Sequence, residues 1–166
     1  MCGALCARME VRIGWAFLGV VICLAAGFVF GLHYDNPAAA GCAFAAAFYA
    51  ALLIALHISH WKGWLDAWSS WQFLAAVLAG SVGQLCGLGA IIGFIAAGIV
   101  NRTDFGHFYG HNWWLAIVWA WMLWKWAFQF FWYARKYRKE YEPGLMLDGG
   151  VQTRQVFIRN DGPVNG

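Results

Sequence analysis

The chain has 166 residues, 62% of them hydrophobic and only 11% charged, with 12 Trp, 13 Phe and a mean hydropathy of +0.56. That excludes disorder and an ordinary water-soluble domain, because 11 Lys and Arg and 8 Asp and Glu, gathered in clusters, cannot furnish the polar surface such a domain needs. A net charge of +3 with one short basic cluster also excludes nucleic-acid binding.

A spanning helix needs ~20 mostly apolar residues to cover ~30 Å of hydrocarbon, and four stretches meet that requirement. The first, residues 13–32, follows Arg8 and Arg12. Its apolar run exceeds the ~7–15 residues of a secretory signal, so it reads as a retained helix. The second, 38–58, carries Tyr49 and His57 and ends just before His60. Next, Trp61, Trp64, Trp68 and Trp71 repeat at three and four opposite Lys62, Asp66, Ser69 and Ser70, which predicts a short amphipathic Trp-rich helix on the membrane surface. The third stretch, 73–100, holds Gly80, Gly83, Gly87, Gly89, Gly93 and Gly98, small residues that let helix backbones approach closely in lipid. The connection 101–112 contains the sequon Asn101-Arg102-Thr103 together with His107 and His111. The fourth stretch, 113–132, is followed by Tyr133-Ala134-Arg135-Lys136-Tyr137-Arg138-Lys139, and beyond Glu142 the chain becomes polar and Gly-rich. A transmembrane domain over 1–140 and a disordered tail over 141–166 are expected.

Basic residues flanking a span stay cytoplasmic. Arg8, Arg12, Lys62, Arg135, Lys136, Arg138 and Lys139 fall on one side of a four-crossing path and only Arg102 on the other, so both termini are expected in the cytosol. The cysteines, Cys2, Cys6, Cys23, Cys42 and Cys86, form no CxxC pair, so neither a disulfide framework nor a zinc site is indicated. They read as small apolar helix residues or, near the N-terminus, as palmitoylation sites.

Ionisable residues in or near a bilayer are costly, so their placement is the first evidence of function. His33, His107 and His111 fall in one layer on the outer side; His57 and His60 fall in another near the cytosolic end of the second helix, with Tyr49 about three turns earlier on nearly the same stripe. Taken singly, each His also reads as an interfacial residue satisfied by water or carbonyls. Trp114, Trp121, Lys125 and Trp132 share one stripe of the fourth helix, either as a snorkelling lysine among interfacial anchors or as an aromatic, cationic wall for a flat anion. The basic segment after that helix serves as an anchor to anionic lipid, but its interleaved tyrosines suit iron coordination or ring stacking. Haem uses all three residue types, since iron takes His or Tyr, indoles cover the ring, and Lys or Arg pairs with the carboxylates.

The segment Lys125-Trp126-Ala127-Phe128, followed by Tyr133-Ala134-Arg135-Lys136-Tyr137, resembles the haem-responsive gene (HRG) family of four-helix haem transporters, the latter as the family's FARKY motif with Tyr in place of Phe. A second likeness is His60 followed by Asp66-Ala67-Trp68 and Trp71, similar to the family's helix-two histidine with Asp-aromatic-Trp after it. The resemblance implies haem import into the cytosol from outside the cell or from an endolysosomal lumen. It also implies His60 as the helix-two ligand with His57 an alternative, uptake at His107 or His111, and receipt or release at Tyr133, Arg135, Lys136 and Tyr137. Its second outer connection is longer than the family pattern, which leaves the choice between His107 and His111 open.

The expectation is therefore an all-α integral membrane protein, a four-transmembrane-helix bundle of the plasma, endosomal or lysosomal membrane. It self-associates, and haem is its transported substrate and partner besides the lipid bilayer. The haem-iron ligands would be His60, His107 and His111, with Tyr49 and Lys125 along the path. A haem-b-binding or structural accessory subunit of a membrane complex is the alternative; a mid-membrane bis-His site would then need a second copy, since only helix two carries histidines on that side. There is no HExxH, GxSxG or P-loop motif and no carboxylate within the expected spans, so no enzyme is expected.

Overall fold

The structure is a computed structural model that describes residues 2–103 and 109–141. His107 and the tail from 142 onward lie outside the described residues, as do the side chains of Cys2, Cys6 and Arg8. The described chain forms four long helices: α1 (Cys2–Phe28), continued by a wide π-helical turn over Val29–His33, α2 (Pro37–Trp61), α3 (Ser70–Val100) and α4 (Trp113–Tyr141). Three are long and apolar enough to cross a bilayer, over Met9–His33, Pro37–Trp61 and Ser70–Val100. The fourth is richer in indole and carries Lys125 and a basic last turn, and it runs on to Tyr141 instead of stopping at Trp132. Ala, Arg, Lys and Glu after Tyr133 are good helix formers, so charge ends the apolar run without ending the helix.

Two buried asparagines set α2 and α4 side by side. Asn36 caps α2, its Oδ1 accepting from the amide of Ala39 at 3.1 Å just ahead of Pro37 at the first helical position. Asn112 does the same for α4, its Oδ1 accepting from the amides of Trp114 and Leu115 at 3.0 and 3.2 Å. The Asn36 amide group also donates to the Asn112 carbonyl at 3.0 Å, so the two helices start together and run parallel. Buried alanines at 39, 43, 46 and 50 on α2 and at 116, 120, 127 and 134 on α4 repeat at helical spacing and keep the contact close.

On its other flank α4 meets α3 in antiparallel fashion. A side chain at Gly80 would place its Cβ 2.8 Å from the Cα of Phe131, and one at Gly87 would lie 2.9 Å from the Trp124 backbone, so only glycine permits this approach. Gly83 receives the Tyr49 ring and Gly98 faces Trp114, whereas Gly89 and Gly93 meet nothing. The expected glycine packing surface is thus the Gly80, Gly83, Gly87, Gly98 part of the set. α1 lies against α2 through Gly27 and Phe44, and it meets α4 through Gly19, where the buried Trp126 ring is seated. Large apolar side chains such as Val11, Leu32, Leu85, Ile92 and Val100 point outward, a surface suited to lipid.

The Trp-rich connection differs from the expected amphipathic helix. Trp61 ends α2 and Trp71 lies in the first turn of α3, with a single 3₁₀ turn over Trp64–Ala67 between them. Gly63 at φ +72° breaks the helix on one side, and extended Trp68 with a Ser69–Gln72 capping box restarts it on the other. Trp61, Trp64 and Trp71 are exposed, Leu65 is buried, and Trp68 turns inward onto Phe73. The four indoles therefore do not form one helical face. At the opposite end Asn101 closes α3, its amide donating to the Ala97 carbonyl at 2.8 Å.

Candidate functional site

The parallel course of α2 and α4 brings His57 and His60 of α2, one turn apart, onto a stripe of α4 formed by Tyr133, Tyr137 and Tyr141 at intervals of four. His57 is buried and its Nδ1 lies 2.9 Å from the hydroxyl of Tyr137, which is itself buried. The Tyr133 ring meets His57 edge-on at 4.6 Å. His60 is partly exposed; its imidazole stacks on Tyr137 at 4.1 Å and 14°, and its Nδ1 lies 3.1 Å from the Tyr141 hydroxyl. Tyr141 in turn stacks on Phe73 at the start of α3. Burial pushes the Tyr137 phenol up to about 12 and raises that of Tyr141, so both hydroxyls are protonated at neutral pH.

The chemistry of this interface follows from the ring nitrogens. On both histidines a tyrosine occupies Nδ1, which leaves Nε2 as the atom for an outside partner. When the tyrosine oxygen accepts from Nδ1–H, Nε2 carries a lone pair, the tautomer that binds iron. The hydroxyl can donate or accept, so it holds the ring in either state.

Arg135 and Lys136 are exposed on the flank of α4 that faces away from these tyrosines, so the five-residue segment splits into inward phenols and outward cations. The cation that does meet the tyrosines comes from α1: the Arg12 guanidinium sits 5.5 Å from the Tyr133 ring centroid. Sequence reasoning missed Tyr141 and used Arg12 only as a topological flank. The interval of four from Tyr133 through Tyr137 would have found the former; nothing in the sequence pairs Arg12 with Tyr133.

Elsewhere the expected residues part company. The Tyr49 hydroxyl donates to the Ala79 carbonyl at 2.9 Å, and its ring packs toward α3 and Phe130. Lys125 reaches α1 instead, its ammonium 4.3 Å from the Trp126 ring and 5.2 Å from Trp15. Trp121 and Trp132 of the expected stripe are exposed, and the Trp114 indole donates to the Thr103 carbonyl at 2.8 Å. The stripe is real in spacing, but the flexible lysine stem carries its charge sideways to two other indoles. Tyr49 and Lys125 are thus not brought to one face.

At the asparagine end, His33 is exposed with Nε2 3.4 Å from the Tyr109 hydroxyl, and Tyr34 and Tyr109 lie 5.3 Å apart. His111, also exposed, stacks on Trp113 at 5.7 Å, which in turn stacks on Phe94. The two histidines share this end of the bundle but have separate partners.

A worm protein named heme transporter hrg-1, from Caenorhabditis elegans, is 35% identical over 133 residues, covering 78% of this chain and 68% of its own length. This chain belongs to the HRG family. A second relative, heme transporter hrg-4 from the same organism, is 26% identical over 154 residues, covering 82% of this chain and 83% of its own length. No family model and no solved structure matches the chain. Both HRG relatives are named as transporters and not as enzymes, in keeping with the absence of a catalytic motif. With three apolar helices long enough to cross a bilayer, this HRG protein is a membrane protein.

Proposed function

We propose that this HRG protein is a haem transporter that moves haem into the cytosol from the extracellular space or an endolysosomal lumen. The observation that carries the reading is the imidazole and phenol interface between α2 and α4, in a chain whose relatives are named haem transporters. Polar side chains packed between apolar helices are costly, and simple packing would be served better by alanine or leucine. α4 makes the fourth crossing and both termini face the cytosol, a topology supported by the basic residues at the tyrosine end. Residues 1–140 with Tyr141 at the end of α4 form the transport domain, the residues after it a cytosolic tail, and the protein self-associates.

Haem loads at the outer, asparagine end on His111 or His107, aided by exposed His33, where tyrosine and tryptophan rings offer stacking surfaces. It arrives at the cytosolic end on His60 in preference to His57, because His60 is partly exposed while His57 is sealed behind Tyr133 and Tyr137. Tyr137 and Tyr141 position the imidazoles. Arg135 and Lys136 meet the carboxylates as the substrate leaves for water, and Tyr49 and Lys125 line two different flanks of α4 on the way.

Growth of a haem-auxotrophic cell on limiting haem tests this. Expression of the parent at the surface should rescue growth, and His60→Ala, the His107→Ala/His111→Ala pair and the Arg135→Ala/Lys136→Ala pair should each reduce it. Failure of a correctly delivered parent to rescue would favour the haem-subunit or scaffold alternative.

A further inference from the structure

Cations near the tyrosine end differ in where they point. Arg135, Lys136 and Lys139 are exposed on α4, positioned for lipid headgroups and water. Arg12 of α1 is partly buried and turns inward, over the Tyr133 ring that makes a T-shaped contact with His57. Both tyrosines it touches, Tyr133 through the ring and Tyr137 through the hydroxyl, contact His57, so it stands at the level of the imidazoles. Among the described residues no carboxylate pairs with it; the weak Met9 sulfur acceptor at 3.7 Å and the Tyr137 hydroxyl are its hydrogen-bond partners. A guanidinium has five N–H donors in a planar fork matched to carboxylate oxygens, and a cation–π contact, a sulfur and one hydroxyl still leave donors open for an anion.

Such a group in a partly desolvated setting calls for an anion. Resting on the haem reading above, we propose that Arg12 is a carboxylate-binding residue of the His60 site: α1 supplies the fork that holds a haem propionate while α2 supplies the imidazole and α4 the phenols. Three helices then define the site, and a porphyrin lacking free carboxylates is disfavoured there. The same fork chemistry would suit a lipid phosphate, so the test must separate the two anions.

The experiment is a Soret-band titration of the purified full chain in nanodiscs of zwitterionic lipid, with haemin and with haemin dimethyl ester as probes. The parent should bind haemin roughly ten- to a hundred-fold more tightly than the ester, the span expected for a charge-assisted hydrogen-bonded pair. Arg12→Gln should lose most of that preference by weakening haemin alone, and its unchanged ester affinity would show that the protein is folded. Arg12→Lys should recover part of the preference, while Lys139→Gln, an outward cation, should retain all of it. An Arg12→Gln variant that weakens both probes equally, or neither, overturns the proposal. So does one whose haemin binding is intact while its response to added anionic lipid is lost, which would assign the fork to headgroups. A parent that binds neither probe overturns the haem reading itself, a failure distinguishable from that of Arg12 alone.

Discussion

The two flanks of α4 make opposite use of the same helix. Toward α3 it meets Gly80 and Gly87 across a distance that admits no side chain, with no polar group needed at either contact. Toward the end of α2 it presents three tyrosines to two histidines, with hydrogen bonds at 2.9 and 3.1 Å and a stacked ring pair. In a bilayer, close backbone packing suffices to hold helices together, so the first seam needs no further explanation. The second keeps polar groups where apolar ones would pack as well, which is why we propose it as the place where the protein handles a ligand.

The sharpest way to break this comparison is on the α3 flank. Gly80→Val should prevent correct packing, because the obstacle is the Phe131 backbone, and should cost more than about 3 kcal/mol or abolish folded protein. Gly93→Val, facing open space, should leave yield and thermal stability nearly unchanged. A thermal-shift assay on both variants checks the pair.

Next in size is His60→Ala, which should lower haem affinity about a hundred-fold while leaving helicity by circular dichroism intact. His57→Ala should do the reverse, disturbing stability more than affinity, because it empties a buried position. Tyr141→Phe frees His60 Nδ1 and should weaken haem binding about ten-fold with a shifted Soret band, the signature of a reoriented imidazole. Tyr137→Phe leaves His57 Nδ1 buried and unpaired, an expected loss of about 1–3 kcal/mol in unfolding measurements.

The smallest effect is an alkaline one. A phenol raised from its ordinary value near 10 to about 12 favours the neutral form in the fold, so its stabilising contribution is full below pH 10 and is lost as pH climbs through 12. Phenolate absorbance in the parent should show an ionisation near pH 12 that Tyr137→Phe lacks; a Tyr137 that ionises with exposed tyrosines would contradict its burial.

Much of the fold is written in hydropathy. The apolar runs give both ends of α2 and α3 to within a few residues, and the end of α1 with its π-helical turn, since length and composition decide what a bilayer accepts; α1 itself begins eleven residues before its run, at Cys2. The end of α4 was misplaced at Trp132 because charge interrupts the run while helix propensity does not. The Trp61 to Trp71 repeat looked helical because spacing alone cannot register the turn that Gly63 imposes. Within the site, His57 and His60 were legible as ionisable residues costly near a bilayer and Tyr133 and Tyr137 as tyrosines interleaved with a basic segment, but their pairing depends on α2 and α4 running parallel from the Asn36 and Asn112 caps. Arg12 was illegible for the same reason, its role being set by a contact across the bundle. Tyr49 and Lys125 share no face because period gives a direction from one helix axis and not the identity of the neighbour.

The central claim is movement of haem across a bilayer, and reconstitution tests it most directly. Proteoliposomes holding the purified chain, with apomyoglobin trapped inside, are given haemin outside, and holomyoglobin formation is followed by its Soret band. The account requires internal holomyoglobin to form faster than in protein-free liposomes and to slow about ten-fold or more with His60→Ala. Haem that binds the protein with sharp, fixed bands but never reaches the interior would contradict it and identify a haem-holding subunit instead.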